Sequence, residues 1–228
     1  MSYPALPTPE TVASHFVGAL RAAQRLDLPY RRWKLDNVLP EAMCTGILTL
    51  PIAPPVVSID TKGQRATFNE QRTFFTPRLR ELYSAVAVLS EAMQRPEVAR
   101  QFEETCGITA QGGYLRIEYI QDLDDMWLEP HCDIKEKLFS MVLYLCTGPY
   151  AKDWGTDIYD SDRKWVGRAT AEFNSAVIFI AGPNTWHGFE PRPIHGVRRL
   201  MEVNYVRDWR AREQLAFPDR PITVGRLA

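Results

Sequence analysis

Three residues of this chain have types and spacing that suit metal chemistry. In Pro130-His131-Cys132-Asp133 an imidazole and a carboxylate stand two positions apart. On a β-strand both leave the same face, and Cys132 points the other way. A second imidazole, His187, follows Asp133 with 53 residues between them, in Trp186-His187-Gly188. That gap is too long for a local clip and suits a neighbouring strand of a barrel. Two histidines and one carboxylate with no fourth protein ligand describe the facial triad that holds non-haem Fe(II) and leaves positions open for reaction.

A His-x-Asp pair alone is common, and its plain alternative is a surface histidine followed by a turn aspartate. Only four histidines occur in the chain, however, and His131 and His187 both lie beside segments that read as strands. His15, on a helical stretch, and His195, in the turn Pro193-Ile194-His195-Gly196, lack such company and are set aside.

The composition narrows the classes. A chain of 228 residues fits one domain of all-β barrel size, and 45% hydrophobic with 24% charged residues is ordinary for a globular protein with a sizeable core. With 27 basic against 28 acidic residues the formal charge is -1, so no nucleic-acid footprint is expected. Cys44, Cys106, Cys132 and Cys146 show no CxxC spacing and read as free thiols of a cytoplasmic protein. No charged-then-apolar leader opens the sequence, and its apolar runs, such as Ser175 to Gly182, are too short to span a membrane.

Periodicity divides the chain. Residues 1–111 read as a mostly helical support layer, with helix starts at Thr8-Pro9-Glu10, Leu39-Pro40-Glu41, Thr76-Pro77-Arg78 and Arg95-Pro96-Glu97. The third of these predicts one helix with Leu79, Leu82, Val86 and Leu89 on a single side. From Gly112 onward strands are predicted at 114–120, 138–145, 156–159, 164–168, 176–180 and 199–206, separated by Gly, Pro, Asp and Asn turns. Short strands at this spacing indicate a β-sandwich or a jelly-roll barrel. The expectation is an α+β, mainly β, single domain over 1–228, with a barrel core at 112–207 and a C-terminal tail at 208–228.

His131-Cys132-Asp133, the 53 residues before His187, and an arginine eleven positions further at Arg198 together resemble the Fe(II)/2-oxoglutarate-dependent dioxygenases, most closely their prolyl-hydroxylase-like branch. The segments 138–145, Trp154-Gly155-Thr156-Asp157-Ile158 and Pro183 to Pro191 are similar to stretches of that branch. A glycine is more usual where Thr156 stands. The resemblance covers roughly residues 112–207. It implies a double-stranded β-helix, Fe(II) on His131, Asp133 and His187, and 2-oxoglutarate and O₂ as co-substrates.

Within the resemblance, an arginine on the last strand holds the far carboxylate of 2-oxoglutarate. Arg198 and Arg199 compete for this role and point to opposite faces. Arg199 shares its face with Met201, Val203 and Tyr205, and Arg198 with Leu200, Glu202 and Asn204. Alternation alone leaves the choice open, because an outer face covered by helices is apolar too. The distance from His187 and the polar company of Glu202 and Asn204 favour Arg198. Tyr144 is a second anchor by resemblance, and Tyr119 is a candidate for the pocket wall. Trp127 and Trp186 are either walls or core.

The implied reaction couples decarboxylation of 2-oxoglutarate, to succinate and CO₂, to oxidation of an unactivated C–H. Related halogenases often lack the carboxylate, so Asp133 favours hydroxylation. The substrate is a small molecule or a peptide, with no nucleic acid or membrane partner expected, and the segment Asn69 to Phe75, including Arg72, is a candidate rim. Two rival readings are a cupin-like metal barrel with other chemistry and a non-catalytic binding module.

Overall fold

A computed structural model of the chain describes residues 5–56, 63–64, 72–124 and 126–225. The first helix, α1 (Pro9–Arg21), starts where Thr8 accepts a hydrogen bond from the Thr11 amide at 3.2 Å and Pro9 occupies the first turn. It buries Val12, Ala13, Phe16 and Leu20. Strands β1 (Gln24–Leu26) and β2 (Arg32–Leu35) follow, then helix α2 (Glu41–Leu48) and strand β3 (Arg72–Phe74). Helices α3 (Pro77–Leu82), α4 (Ser84–Gln94) and α5 (Pro96–Cys106) complete the N-terminal half. Gly107, at φ 71°, ends α5 in the left-handed conformation that glycine adopts without strain.

The remaining strands are β4 (Tyr114–Asp122), β5 (Leu128–His131), β6 (Ser140–Tyr144), β7 (Asp157–Tyr159), β8 (Trp165–Arg168), β9 (Ser175–Phe179), β10 (His187–Phe189) and β11 (Arg198–Val206). Among the described residues they pair into two antiparallel sheets. The larger runs β1-β2-β9-β6-β11-β4-β3 and the smaller β5-β10-β7-β8. The result is the mainly β, jelly-roll architecture expected from the strand pattern.

The N-terminal half is mostly helical, and its strands β1, β2 and β3 flank the large sheet, β2 pairing with β9 and β3 with β4. These strands are three or four residues long, too short for alternation to register against their loops. The third predicted helix is instead two, α3 and α4, broken at Tyr83, whose backbone is extended at φ -131°. The break shifts the helical phase, so Leu82 is 59% exposed although its spacing placed it with Leu79 and Val86.

Both faces of the large sheet are buried, which explains why alternation could not choose between Arg198 and Arg199. One face carries Leu115, Ile117, Tyr119, Met141, Leu143, Met201, Val203 and Tyr205, and packs in the main core with the helices. Phe102 of α5 joins the layers, stacking on Phe139 at 4.1 Å and meeting Phe16 and Tyr205 at 5.5 and 5.4 Å. The other face carries Ile120, Tyr144, Val177, Phe179 and Leu200, and looks into the barrel. Met201, Val203 and Tyr205, the apolar company of Arg199, therefore belong to the helix-covered side.

The C-terminal segment is more than a tail. Ala216 donates to the Leu115 carbonyl and Ile222 to that of Gly113, while Gln94 of α4 donates to the Arg220 and Pro221 carbonyls. The four cysteines are free, and no helix among the described residues is long and apolar enough to cross a membrane.

The small sheet is tightest at Gly188, where a Cβ would sit 2.8 Å from the Leu128 carbonyl oxygen and 3.1 Å from that of Glu129. Both contacts are backbone and cannot rotate away. Gly188→Ala is expected to force β5 from β10 and cost about 1–3 kcal/mol, the usual range for overpacking. Chemical denaturation of the two proteins checks it.

Candidate metal centre

The pairing of β5 with β10 sets the centre. His131 lies directly opposite His187 in this antiparallel pair, and the two rings stand 4.4 Å apart between centroids. Asp133 follows two residues after His131, just past the strand end. One carboxylate oxygen, Oδ2, comes within 3.9 Å of His187 Nε2. Ligand atoms of all three residues lie within 4.8 Å of one another.

Hydrogen bonds aim these atoms. His131 Nδ1 is 2.8 Å from the Glu129 carbonyl and His187 Nδ1 is 2.9 Å from the Thr185 carbonyl. A carbonyl only accepts, so each Nδ1 carries the proton and each Nε2 keeps its lone pair. Backbone carbonyls orienting ligand imidazoles in this way are the usual outer support of a metal site. Two imidazoles and one carboxylate, joined among the described residues by no further ligand-type side chain, suit Fe(II) with positions left open.

Asp133 is held from two sides. Lys137 Nζ donates to Oδ1 at 2.8 Å and Ser140 Oγ to Oδ2 at 2.5 Å. Lys137 also pairs with Glu202, and Asn204 Nδ2 donates to both Ser140 Oγ and Glu202 Oε1, at 3.2 Å each. Burial by itself would raise the Asp133 carboxyl, but the Lys137 ammonium, with His187 and Ser140, outweighs it and holds the group well below the usual carboxylate range. Burial pushes His187 down to about 4 against the pull of Asp133. Both groups therefore stand in their metal-binding forms at neutral pH.

A cavity of about 400 Å³ opens beside the triad. His131, Asp133 and His187 line it, and so does Arg198. Arg198 is 3% exposed and its guanidinium is fixed, Nε donating to the Trp154 carbonyl at 2.7 Å and Nη1 to Asp122 Oδ2 at 2.5 Å. Its face rests 4.2 Å from the Phe189 ring centre. Ile120, Val142, Phe179 and Leu200 supply apolar wall between.

Other candidates fall elsewhere. Tyr144 is fully buried, and its hydroxyl donates to Thr156 Oγ1 at 2.7 Å while accepting from the Thr156 amide at 3.1 Å. Thr156, not Tyr144, is the member of this pair that lines the cavity. Tyr119 sits on the helix-covered face of β4, in the main core, and does not line the cavity. Arg199, Trp127 and Trp186 do not line it either. Trp186 is stacked under Arg163 at 4.1 Å. Of the expected rim, Asn69, Glu70 and Gln71 lie outside the described residues, and Arg72 does line the cavity.

Sequence reasoning missed Arg116, Lys137, Thr156, Trp209 and Gln214, all on the cavity wall. A signal existed for the first. Arg116 and Glu118 fall two apart among the apolar residues Leu115, Ile117 and Tyr119 of β4, with Glu202 and Asn204 spaced likewise on β11. Charged residues at period two in strands covered on both faces belong to a polar interior.

No protein-family model matches the chain, and no curated protein matches it by sequence. Solved structures do match. A prolyl-4-hydroxylase from Pseudomonas putida superposes with a TM-score of 0.57 at 13% identity, covering 86% of this chain and 100% of that one. A prolyl hydroxylase from Trichoplax adhaerens, in complex with a hypoxia inducible factor oxygen degradation domain peptide, gives 0.56 at 12%, covering 85% and 88%. An oxidoreductase of the 2OG-Fe(II) oxygenase family from Burkholderia pseudomallei gives 0.51 at 13%, covering 90% and 95%. At such identities the likeness is one of fold, and the fold is that of the prolyl-hydroxylase-like 2OG-Fe(II) oxygenases.

The buried neutral His187 makes the metal-free protein acid-sensitive. Its folded value, about 4, lies below the ordinary 6.5, so between these the unfolded chain binds the extra proton and stability rises with pH. The contribution is complete above about pH 6.5 and is lost as pH falls towards 4, amounting to roughly 3 kcal/mol. Denaturation of chelator-treated protein between pH 7.5 and 4.5 should show this slope, and His187→Gln should flatten it.

Proposed function

We propose that the protein is an Fe(II)- and 2-oxoglutarate-dependent oxygenase that hydroxylates an unactivated C–H of its substrate, a small molecule or peptide, and releases succinate and CO₂. The observation that carries this reading is the direction of the donors. Two Nε2 lone pairs and a carboxylate oxygen converge beside a cavity that a buried, immobilised guanidinium also lines. His131, Asp133 and His187 would hold the iron. When bound, iron with 2-oxoglutarate and O₂ supplies the oxidising power, and the protein supplies binding, orientation and exclusion of water.

Arg198 suits the far carboxylate of 2-oxoglutarate. A guanidinium stays charged when buried and matches a carboxylate through two parallel N–H groups. Asp122 offsets its charge, and the Trp154 carbonyl sets its plane. Thr156 adds a hydroxyl to the same wall, and Tyr144 acts through it, fixing that hydroxyl rather than reaching into the cavity. Ile120, Val142, Phe179 and Leu200 keep the space around the carbon chain dry. Lys137 and Ser140 hold Asp133 charged and facing the imidazoles.

Anaerobic addition of Fe(II) and 2-oxoglutarate tests the reading by visible absorption, without turnover. A chelate band is expected in the native protein. Asp133→Ala should abolish or displace it, and Arg198→Ala should raise the 2-oxoglutarate needed about 10- to 100-fold, the loss of one charged hydrogen-bonding partner. Metal-loaded protein that develops no band overturns the oxygenase reading in favour of a cupin-like barrel or a binding module.

A further inference from the structure

We infer that Tyr30, in the N-terminal half of the chain, is a positioning residue for His187 and through it for the candidate metal centre. That role rests on His131, Asp133 and His187 being metal ligands, and needs neither 2-oxoglutarate nor the hydroxylation. His187 is the first residue of β10, which is three residues long. It pairs with His131 on one side and Ile158 on the other, and the register with β5 shifts before Phe189. The chain reaches it through residues 180–186, which belong to no strand. The ladder supports His187 from its C-terminal side, and the approach has to be fixed by other contacts.

Tyr30 fixes that approach. It precedes β2, whose pairing with β9 brings it beside the barrel. Its side chain is buried in the barrel-face cluster with Val177 and Phe179. The hydroxyl donates to the Trp186 carbonyl at 3.1 Å, across a separation of 156 residues. The Tyr159 amide donates to the same carbonyl, also at 3.1 Å. Both lone pairs of that oxygen are thus met, one from β7 and one from the opposite half of the chain. The peptide unit carrying this carbonyl is planar and ends at the Cα of His187, so the two bonds set where the histidine begins.

A second contact runs to the imidazole itself. The Phe179 ring lies 4.3 Å from the His187 ring between centres. Tyr30 meets Phe179 edge-on, at 6.4 Å and 72°, an arrangement that aromatic pairs favour. Tyr30 therefore backs the ring on which His187 rests. With the Thr185 carbonyl on Nδ1, three restraints act on this one ligand: a hydrogen bond to the ring, an aromatic surface beside it, and a fixed peptide plane before it. Tyr30 takes part in the last two. Outer contacts that orient a ligand imidazole normally show in metal affinity when they are removed.

Tyr205 provides the matched case of a tyrosine that only packs. It is fully buried too, and its hydroxyl also donates to a carbonyl, that of Met93 on α4, at 2.6 Å. Its ring meets Phe102 and Phe139 edge-on. That hydrogen bond lies on the helix-covered side of the large sheet and ends on no residue next to a candidate ligand. Loss of either hydroxyl leaves a buried carbonyl one donor short, so both losses cost stability. Only the loss at Tyr30 loosens the peptide that leads into His187.

Anaerobic titration of the full-length protein with Co(II) tests the role without turnover. Visible ligand-field bands report the geometry of the bound ion, and competition with a chelator reports its affinity. Tyr30→Phe should displace the bands and weaken Co(II) binding about three- to tenfold, the worth of one neutral hydrogen bond. Tyr30→Leu, which also removes the edge contact on Phe179, should weaken it about tenfold or more. Tyr205→Phe should lower the melting temperature and leave bands and affinity native. Should Tyr30→Leu fail to fold, Tyr30→Phe against Tyr205→Phe carries the comparison. Native bands and affinity in Tyr30→Phe, or an equal loss in Tyr205→Phe, overturn the positioning role alone. A native protein that binds no Co(II) overturns the metal centre and this role with it, and the chelate band with 2-oxoglutarate, read separately, reports on the oxygenase reading.

Discussion

The antiparallel pairing of β5 with β10 is the constraint from which the candidate centre follows. It sets His131 and His187 face to face on two strands, so their separation is fixed by backbone hydrogen bonds rather than by side-chain preference. Carbonyls two residues before each histidine then fix ring orientation and tautomer. Only Asp133, beyond the strand end, needs side chains to hold it. Lys137 and Ser140 do so, and both are tied to β11 through Glu202 and Asn204. Two of the candidate ligands are thus placed by the small sheet, and the third is anchored to the large one.

The large sheet separates two kinds of interior. Its helix-covered face is held by ordinary apolar packing, with Phe102, Phe139 and Tyr205 at the join. Its barrel face carries charged side chains in pairs: Arg198 with Asp122, Lys137 with Asp133 and Glu202, Arg72 and Arg116 with Glu118. Such pairs stabilise little relative to apolar substitutes, since desolvation offsets most of the attraction. Their presence in a cavity wall is better explained by what the cavity holds than by stability.

Much of this was legible in the sequence. The His-x-Asp pair, the distant His187 and the alternating strands after Gly112 gave the architecture and the residues that converge. Charged side chains on β4 were less visible, because alternation reports burial on one face and this strand is buried on both. The same fact hid the choice between Arg198 and Arg199. Thr156 stood out only as a departure from the expected glycine, with no sign that Tyr144 would hold it. Trp209 and Gln214 lie beyond the last strand, where no periodic signal indicates a return to the cavity.

The position of β11 has a consequence for how the protein comes into being. It is the final strand in the sequence, yet it lies between β4 and β6, and its Glu202 and Asn204 complete the support of Asp133. A chain emerging from synthesis therefore carries β4 and β6 unpaired along one edge each until residue 206 has been made. Through that interval their apolar faces have helices to rest on but no ladder between them, and unpaired edges of this kind invite association with other chains. Every residue of the triad is present well before the sheet that steadies it.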